Sequence, residues 1–163
     1  MQGKDAIRAA ADTSLMVFKG YLADLEDADL MRRPGEGCNH LAWQIGHLTA
    51  SEGSLLESIC PGKAAELPSG FAEAHSKETA GSDDPTKFLS RDEYLALMDK
   101  VRAATMEALD EIPDEQLDAP APESFRSFCP TVGHLFTLIA THHMMHAGQI
   151  VPVRRQLGKP VVF

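Results

Sequence analysis

Apolar residues recur along this chain at the three-and-four spacing of a helix, and they do so in four long stretches. The first stretch runs from about Lys4 to Leu25, with Ile7, Leu15, Phe18, Tyr21, Leu22 and Leu25 on its stripe. Pro34, Gly35 and Gly37 break the pattern. Asn39 is the predicted N-cap of a second helix that carries Leu41, Trp43, Ile45, His47, Leu48, Leu55, Leu56 and Ile59 and stops at Cys60-Pro61-Gly62. Residues 61 to about 89 are rich in Gly, Pro, Ser, Lys and acidic side chains, and read as a long connection with a short helical turn near Phe71. Ser90-Arg91-Asp92-Glu93 has the form of a capping box opening a third helix, whose apolar face runs from Tyr94 to Leu109 and which Pro113 ends. After a polar, Pro-rich stretch, a fourth helix covers about Thr131 to Gln156, with Gly158 as its stop.

Strand patterns are nearly missing, and the tail Pro160-Val161-Val162-Phe163 is too short to build a sheet. No helix of about twenty residues can bury its stripe alone, so the pattern predicts an all-α fold, a four-helix bundle with a long connection between helices 2 and 3, forming one domain over residues 1–163. That connection is long enough to cross the bundle and leave helices 2 and 3 parallel.

Composition narrows the function by exclusion. A net charge of −9 lacks the concentrated Lys and Arg that phosphate binding needs, so nucleic acid is not an expected partner. No apolar run approaches the roughly 18 residues of a membrane span, and the charged N-terminus lacks a signal-peptide core. Cys38, Cys60 and Cys129 are odd in number and widely spaced, which suits neither a disulfide framework nor a thiolate zinc site. The expected compartment is the cytoplasm.

The chemistry rests on histidines. His142 and His146 are four apart on helix 4, so their imidazoles lie about 40° apart around the axis and about 6 Å apart along it, a spacing that suits two ligands on one metal ion. His47 is the candidate third ligand, because it sits mid-helix among Trp43, Ile45 and Leu48, where an unpartnered polar ring would be costly. Three protein ligands plus an open position is the usual plan of a catalytic zinc site. On spacing alone, surface or satisfied core histidines remain the alternative reading.

Glu52 is a candidate base or hydrogen-bond partner for a ligand, or else a carboxylate that is solvated or paired with an arginine. Gln149, three residues after His146, is a candidate for orienting a ligand or bound water. His143 points about 100° from His142 and is expected at solvent or a subunit contact. His134 is expected in a pocket or the core, His40 and His75 at the surface, and Met144 and Met145 in packing. Arg154 and Arg155 suit the C-terminal end of the helix dipole. No phosphate-cradling Gly-rich loop, nucleophile elbow or Glu-x-x-His pair is present.

Two segments carry a family resemblance. Trp43-Gln44-Ile45-Gly46-His47-Leu48 with Glu52, and His142-x-x-x-His146-x-Gly148-Gln149-Ile150 followed by Arg154-Arg155-x-Leu157-Gly158, resemble the second-helix and last-helix motifs of the DinB/YfiT-like superfamily. The resemblance spans essentially the whole chain. It implies a four-helix bundle, often a homodimer, with a divalent metal held by histidines that fall on His47, His142 and His146. Zinc or nickel is the expected ion, with iron or manganese open. The implied activity is that of a thiol-dependent transferase using a low-molecular-weight thiol, or a metal-assisted hydrolase, on a small-molecule substrate. The alternative is a non-catalytic dimeric metal-binding or stress-response module.

Overall fold

A computed structural model describes residues 2–163. Its long helices are α1 (Gly3–Leu22), α3 (Leu41–Ile59), α5 (Arg91–Glu111) and α6 (Val132–Gln156), with the single-turn helices α2 (Asp27–Leu30) and α4 (Phe71–Ala74) between them. Among the described residues there is no β-strand, only an isolated bridge between Pro120 and Thr131. Among the described residues no helix is long and apolar enough to cross a membrane.

The ends of these helices follow local chemistry. The Ser90 hydroxyl accepts from the Glu93 amide while the Glu93 carboxylate accepts from the Ser90 amide, so the capping box forms as its sequence predicts. The α3 cap lies one residue later than expected. It is His40, whose Nδ1 accepts from the Trp43 amide at 3.1 Å, while Asn39 offers its carbonyl to the Gln44 side chain at 2.7 Å. Helix α1 ends at Leu22, although Leu25 continues the apolar pattern. The chain has left the helix there, but Leu25 still reaches the core and is fully buried. Gly158, at φ 69°, turns the chain after α6 in the left-handed region.

The bundle has an uncommon order. Ser14 of α1 bonds the Ala140 carbonyl of α6, and Arg154 of α6 bonds the Tyr21 carbonyl of α1, so these two helices run parallel. Helix α3 runs parallel to α5, with Glu52 against Arg102 and, at the far ends, Lys63 against Glu111. The two pairs oppose one another. Gln44 of α3 meets His146 of α6, and on the other side Lys19 and Arg8 of α1 pair with Asp99 and Asp110 of α5. Around the bundle the order is therefore α1, α6, α3, α5, and the 61–89 connection must travel back the length of the bundle to start α5.

That connection is a packed strap. Phe71 is buried, the Trp43 indole N–H donates to the Ser76 carbonyl at 3.0 Å, and His40 Nε2 donates to the Ser82 carbonyl at 3.0 Å. His75 is buried too, its Nδ1 donating to the Phe71 carbonyl and its Nε2 accepting from the Tyr94 hydroxyl, both at 2.7 Å. His40 and His75 are thus interior residues, contrary to the surface positions expected for them. Their polar surroundings in sequence hide the fact that the strap folds inward. Arg154 is also interior, bonded to Asp24 and to the Tyr21 and Pro160 carbonyls, so it ties the chain's end to α1 as well as facing a helix terminus.

Candidate metal centre

Residues of α3 and α6 face each other across the bundle, and three histidines meet there. The ligand-capable nitrogens of His47, His142 and His146 all lie within 4.8 Å of one another, and all three side chains are half-buried. Ring centroids are 5.7 Å apart for His47 and His142, 5.8 Å for His47 and His146, and 5.1 Å for His142 and His146. Bonds of about 2.1 Å to a tetrahedral ion put two nitrogens about 3.3 Å apart, so small ring rotations bring this set onto one cation.

The supporting residues are those of the Trp43–His47 segment. Trp43 stacks on His47 with centroids 4.8 Å apart and planes 7° from parallel, which fixes that imidazole's tilt. Gln44 Nε2 is committed to the Asn39 carbonyl, so its Oε1 faces His146 Nδ1 at 2.9 Å and must accept from it. The proton of His146 therefore sits on Nδ1, and Nε2 carries the free lone pair. Burial holds His142 and His146 down to about 4, helped by the charges of neighbouring imidazoles, and lowers His47 too, with Lys77 adding to the effect. All three are neutral near pH 7, the form that binds a metal.

Gly46 completes the segment. The His75 ring lies against its Cα, and a methyl group there would fall inside that ring. Since His75 is held at both nitrogens, it cannot move aside. Gly46→Ala is expected to displace the strap, with a stability loss of about 1–3 kcal/mol in urea unfolding, the usual cost of overpacking, and faster proteolysis within 61–89. An unchanged midpoint and cleavage pattern would show that the strap does not depend on this contact.

A cavity of about 630 Å³ opens in front of His47 and His142. Leu55 and Leu138 line it from the helices, His75 and Lys77 from the strap, and Phe125 and Phe128 from the segment before α6. His146 lies behind, against Gln44. This is a pocket of the size that small-molecule sites have.

The other singled-out residues fall elsewhere. Glu52 is turned to α5, with Arg102 Nη2 at 2.9 Å from Oε2 and Thr105 Oγ1 at 2.8 Å from Oε1. It is buried and paired with an arginine, and burial pushes its carboxyl up while Arg102 partly offsets this. Gln149 is exposed and lines no part of the cavity; the amide that orients a site histidine is Gln44. His143 is interior, not at solvent. Because α6 packs on both α1 and α3, the face 100° from His142 still points inward, where Phe18 meets the ring edge-on and Arg102 donates to Nδ1 at 3.1 Å. His134 is exposed beside Thr131, outside the core, and lines a surface cavity with Leu117 and Phe128, as the pocket half of its expectation has it. Met144 and Met145 are exposed rather than packed.

Trp43, Gln44, Lys77, Phe125 and Phe128 are site residues that sequence reasoning did not assign. Gln44 had a legible signal, since it precedes His47 by three and so shares its helix face. The two phenylalanines had none, because they lie in a polar stretch without periodicity.

Fold and site together describe an all-helical bundle with a histidine-lined pocket capable of holding a metal ion. The family model for the DinB superfamily matches residues 10–150, and the chain belongs to that superfamily. Among solved structures, it is similar to YfiT from Bacillus subtilis, described as a probable metal-dependent hydrolase with an unusual four-helix bundle topology. The TM-score is 0.65 with 18% identity over 96% of this chain and 89% of that one. No curated protein matches the sequence.

Proposed function

We propose that the protein is a metal-dependent enzyme acting on a small molecule, with His47, His142 and His146 as ligands of one divalent ion, zinc or nickel before iron or manganese. The observation that carries this reading is the convergence of three neutral imidazoles, two of which, His47 and His142, face an open cavity. An ion bound there would act as a Lewis acid and lower the pKa of a coordinated water or thiol. The description of YfiT as a probable hydrolase favours hydrolysis over thiol transfer.

The chain's own residues bind and orient. Trp43 and Gln44 hold two of the three rings, and Phe125 and Phe128 cover one side of the pocket. His75 is not a proton carrier here, because both its nitrogens are engaged. Among the described residues no carboxylate lines the cavity, so a base would have to be supplied by the coordinated group itself.

The test uses protein purified without a nickel column, stripped with chelator and reloaded with each of the four ions. One arm offers nitrophenyl esters and anilides; the other offers chlorodinitrobenzene with bacillithiol, mycothiol or cysteine. Turnover that disappears on chelation and returns with an ion supports the proposal, and the responding arm names the reaction. Stoichiometric metal with no turnover in either arm would overturn it in favour of a non-catalytic metal-binding module.

A further inference from the structure

We infer that the pocket in front of His47 and His142 takes a substrate with an apolar body and one anionic group, and that Lys77 selects for the anion. This deepens the enzymatic reading above, but its core observation, a cation on an apolar pocket wall, stands without a metal.

The pocket is chemically two-sided. Leu55, Leu138, Phe125 and Phe128 offer apolar contact to a ligand body. Lys77 is the single charged side chain among its walls, the histidines there being neutral near pH 7. The chain holds 24 acidic residues against 15 Lys and Arg, yet Lys77 makes no hydrogen bond or ion pair with any described residue. Glu78, next along the chain, has its carboxyl held low first by a hydrogen bond from Ser76 and, more weakly, by the Lys77 charge.

Lys77 is also placed with respect to the histidines. Trp43 stacks its ring on His47 and uses its N–H to hold the Ser76 carbonyl, one residue before Lys77. One indole thus fixes both the imidazole at the floor and the backbone that carries the ammonium. Lys77 and His47 line the same cavity. Three neutral imidazoles would leave a bound dication's charge uncompensated, so the floor and the wall favour the same sign. A surface of net charge −9 disfavours anions at long range, but screening over about 8 Å leaves the local field in command inside the pocket.

The experiment measures binding of three matched probes by calorimetry: 4-phenylbutyrate, 4-phenylbutanol and 4-phenylbutylamine. Wild type, Lys77→Gln, Lys77→Glu, Lys77→Arg and Phe128→Ala are each titrated, both chelator-treated and zinc-loaded. In the chelated wild type, the acid is expected to bind about three- to fivefold tighter than the alcohol, as an exposed ion pair allows. Lys77→Gln should erase that ratio, Lys77→Arg should keep it, and Lys77→Glu should turn it toward the amine. Phe128→Ala should weaken all three probes alike.

An acid preference that survives Lys77→Gln in the chelated protein overturns the inference. So does a preference seen only with zinc and untouched by Lys77→Gln, which would assign selection to the ion and leave the metal reading standing. Failure of all three probes to bind overturns the apolar pocket. If the ratio follows Lys77 while zinc binds nowhere, the metal reading fails and the inference holds.

Discussion

His142→Ala is expected to lower metal affinity by at least a hundredfold and to abolish any metal-dependent turnover. Loss of a group that merely supports a ligand costs about 10–100-fold in affinity, and loss of a ligand costs more. The three ring centroids form a nearly equilateral triangle with sides of 5.1, 5.7 and 5.8 Å, so removing His142 takes away one of three converging ligands and leaves only two. The thermal readout should agree. Zinc at about a thousand times its Kd stabilises a folded protein by about 4 kcal/mol, and that increment should vanish in the variant while the metal-free melting temperature stays close to wild type. Gln44→Ala should fall between the two, because His146 keeps its nitrogen but loses the bond that fixes its tautomer. Stoichiometric, tight metal retained by His142→Ala, His146→Ala and His47→Ala alike would mean that the ion binds elsewhere.

Glu52→Ala is expected to be the most destabilising single change in the bundle, at about 3–5 kcal/mol, the usual cost of breaking one side of a buried ion pair. Arg102 is 5% exposed and Glu52 4%, so neither charge has water to turn to. Nε and Nη1 of Arg102 find no partner among the described residues, which leaves the guanidinium dependent on Glu52 and on His143 Nδ1. Thr105 would lose its carboxylate acceptor as well and keep only the Val101 carbonyl. Glu52→Gln should cost less, since the amide oxygen still accepts one bond. Combining Glu52→Leu with Arg102→Met should recover part of the loss by removing the orphaned charge. Urea unfolding measures all of these; a loss below about 1 kcal/mol for Glu52→Ala would show that the pair contributes little. The metal-loaded and chelated forms should lose stability equally, because Glu52 faces α5 and not the histidine pocket.

The helices were legible because their apolar periodicity is long and their stops are marked by Pro and Gly. The parallel run of α3 and α5 was left open by the sequence, since a connection of nearly thirty residues has the reach to cross a bundle but does not require it. The histidine pair was visible through its spacing on one helix. His47 could be proposed from its apolar neighbours, because a mid-helix imidazole there demands a partner.

Interior side chains that belong to no periodic stripe were not legible. His75 reads as a loop residue until the strap folds over Gly46, and His143 reads as outward until α6 is seen to pack on two neighbours at once. Glu52 sits four positions from nothing that names Arg102; the pairing exists because α3 and α5 run side by side, a relation of tertiary origin. Met144 and Met145 erred in the opposite sense. They are apolar, but they stand exposed along the groove between α6 and α1.

The returning strap gives the molecule a division of labour. Every proposed ligand is mounted on a helix, whereas Lys77 and one margin of the opening are mounted on the strap that carries the chain back to the start of α5. Exchanging that segment for another of equal span, with an aromatic and a histidine kept at its anchor points, would change the wall of the cavity and leave the three histidines in place.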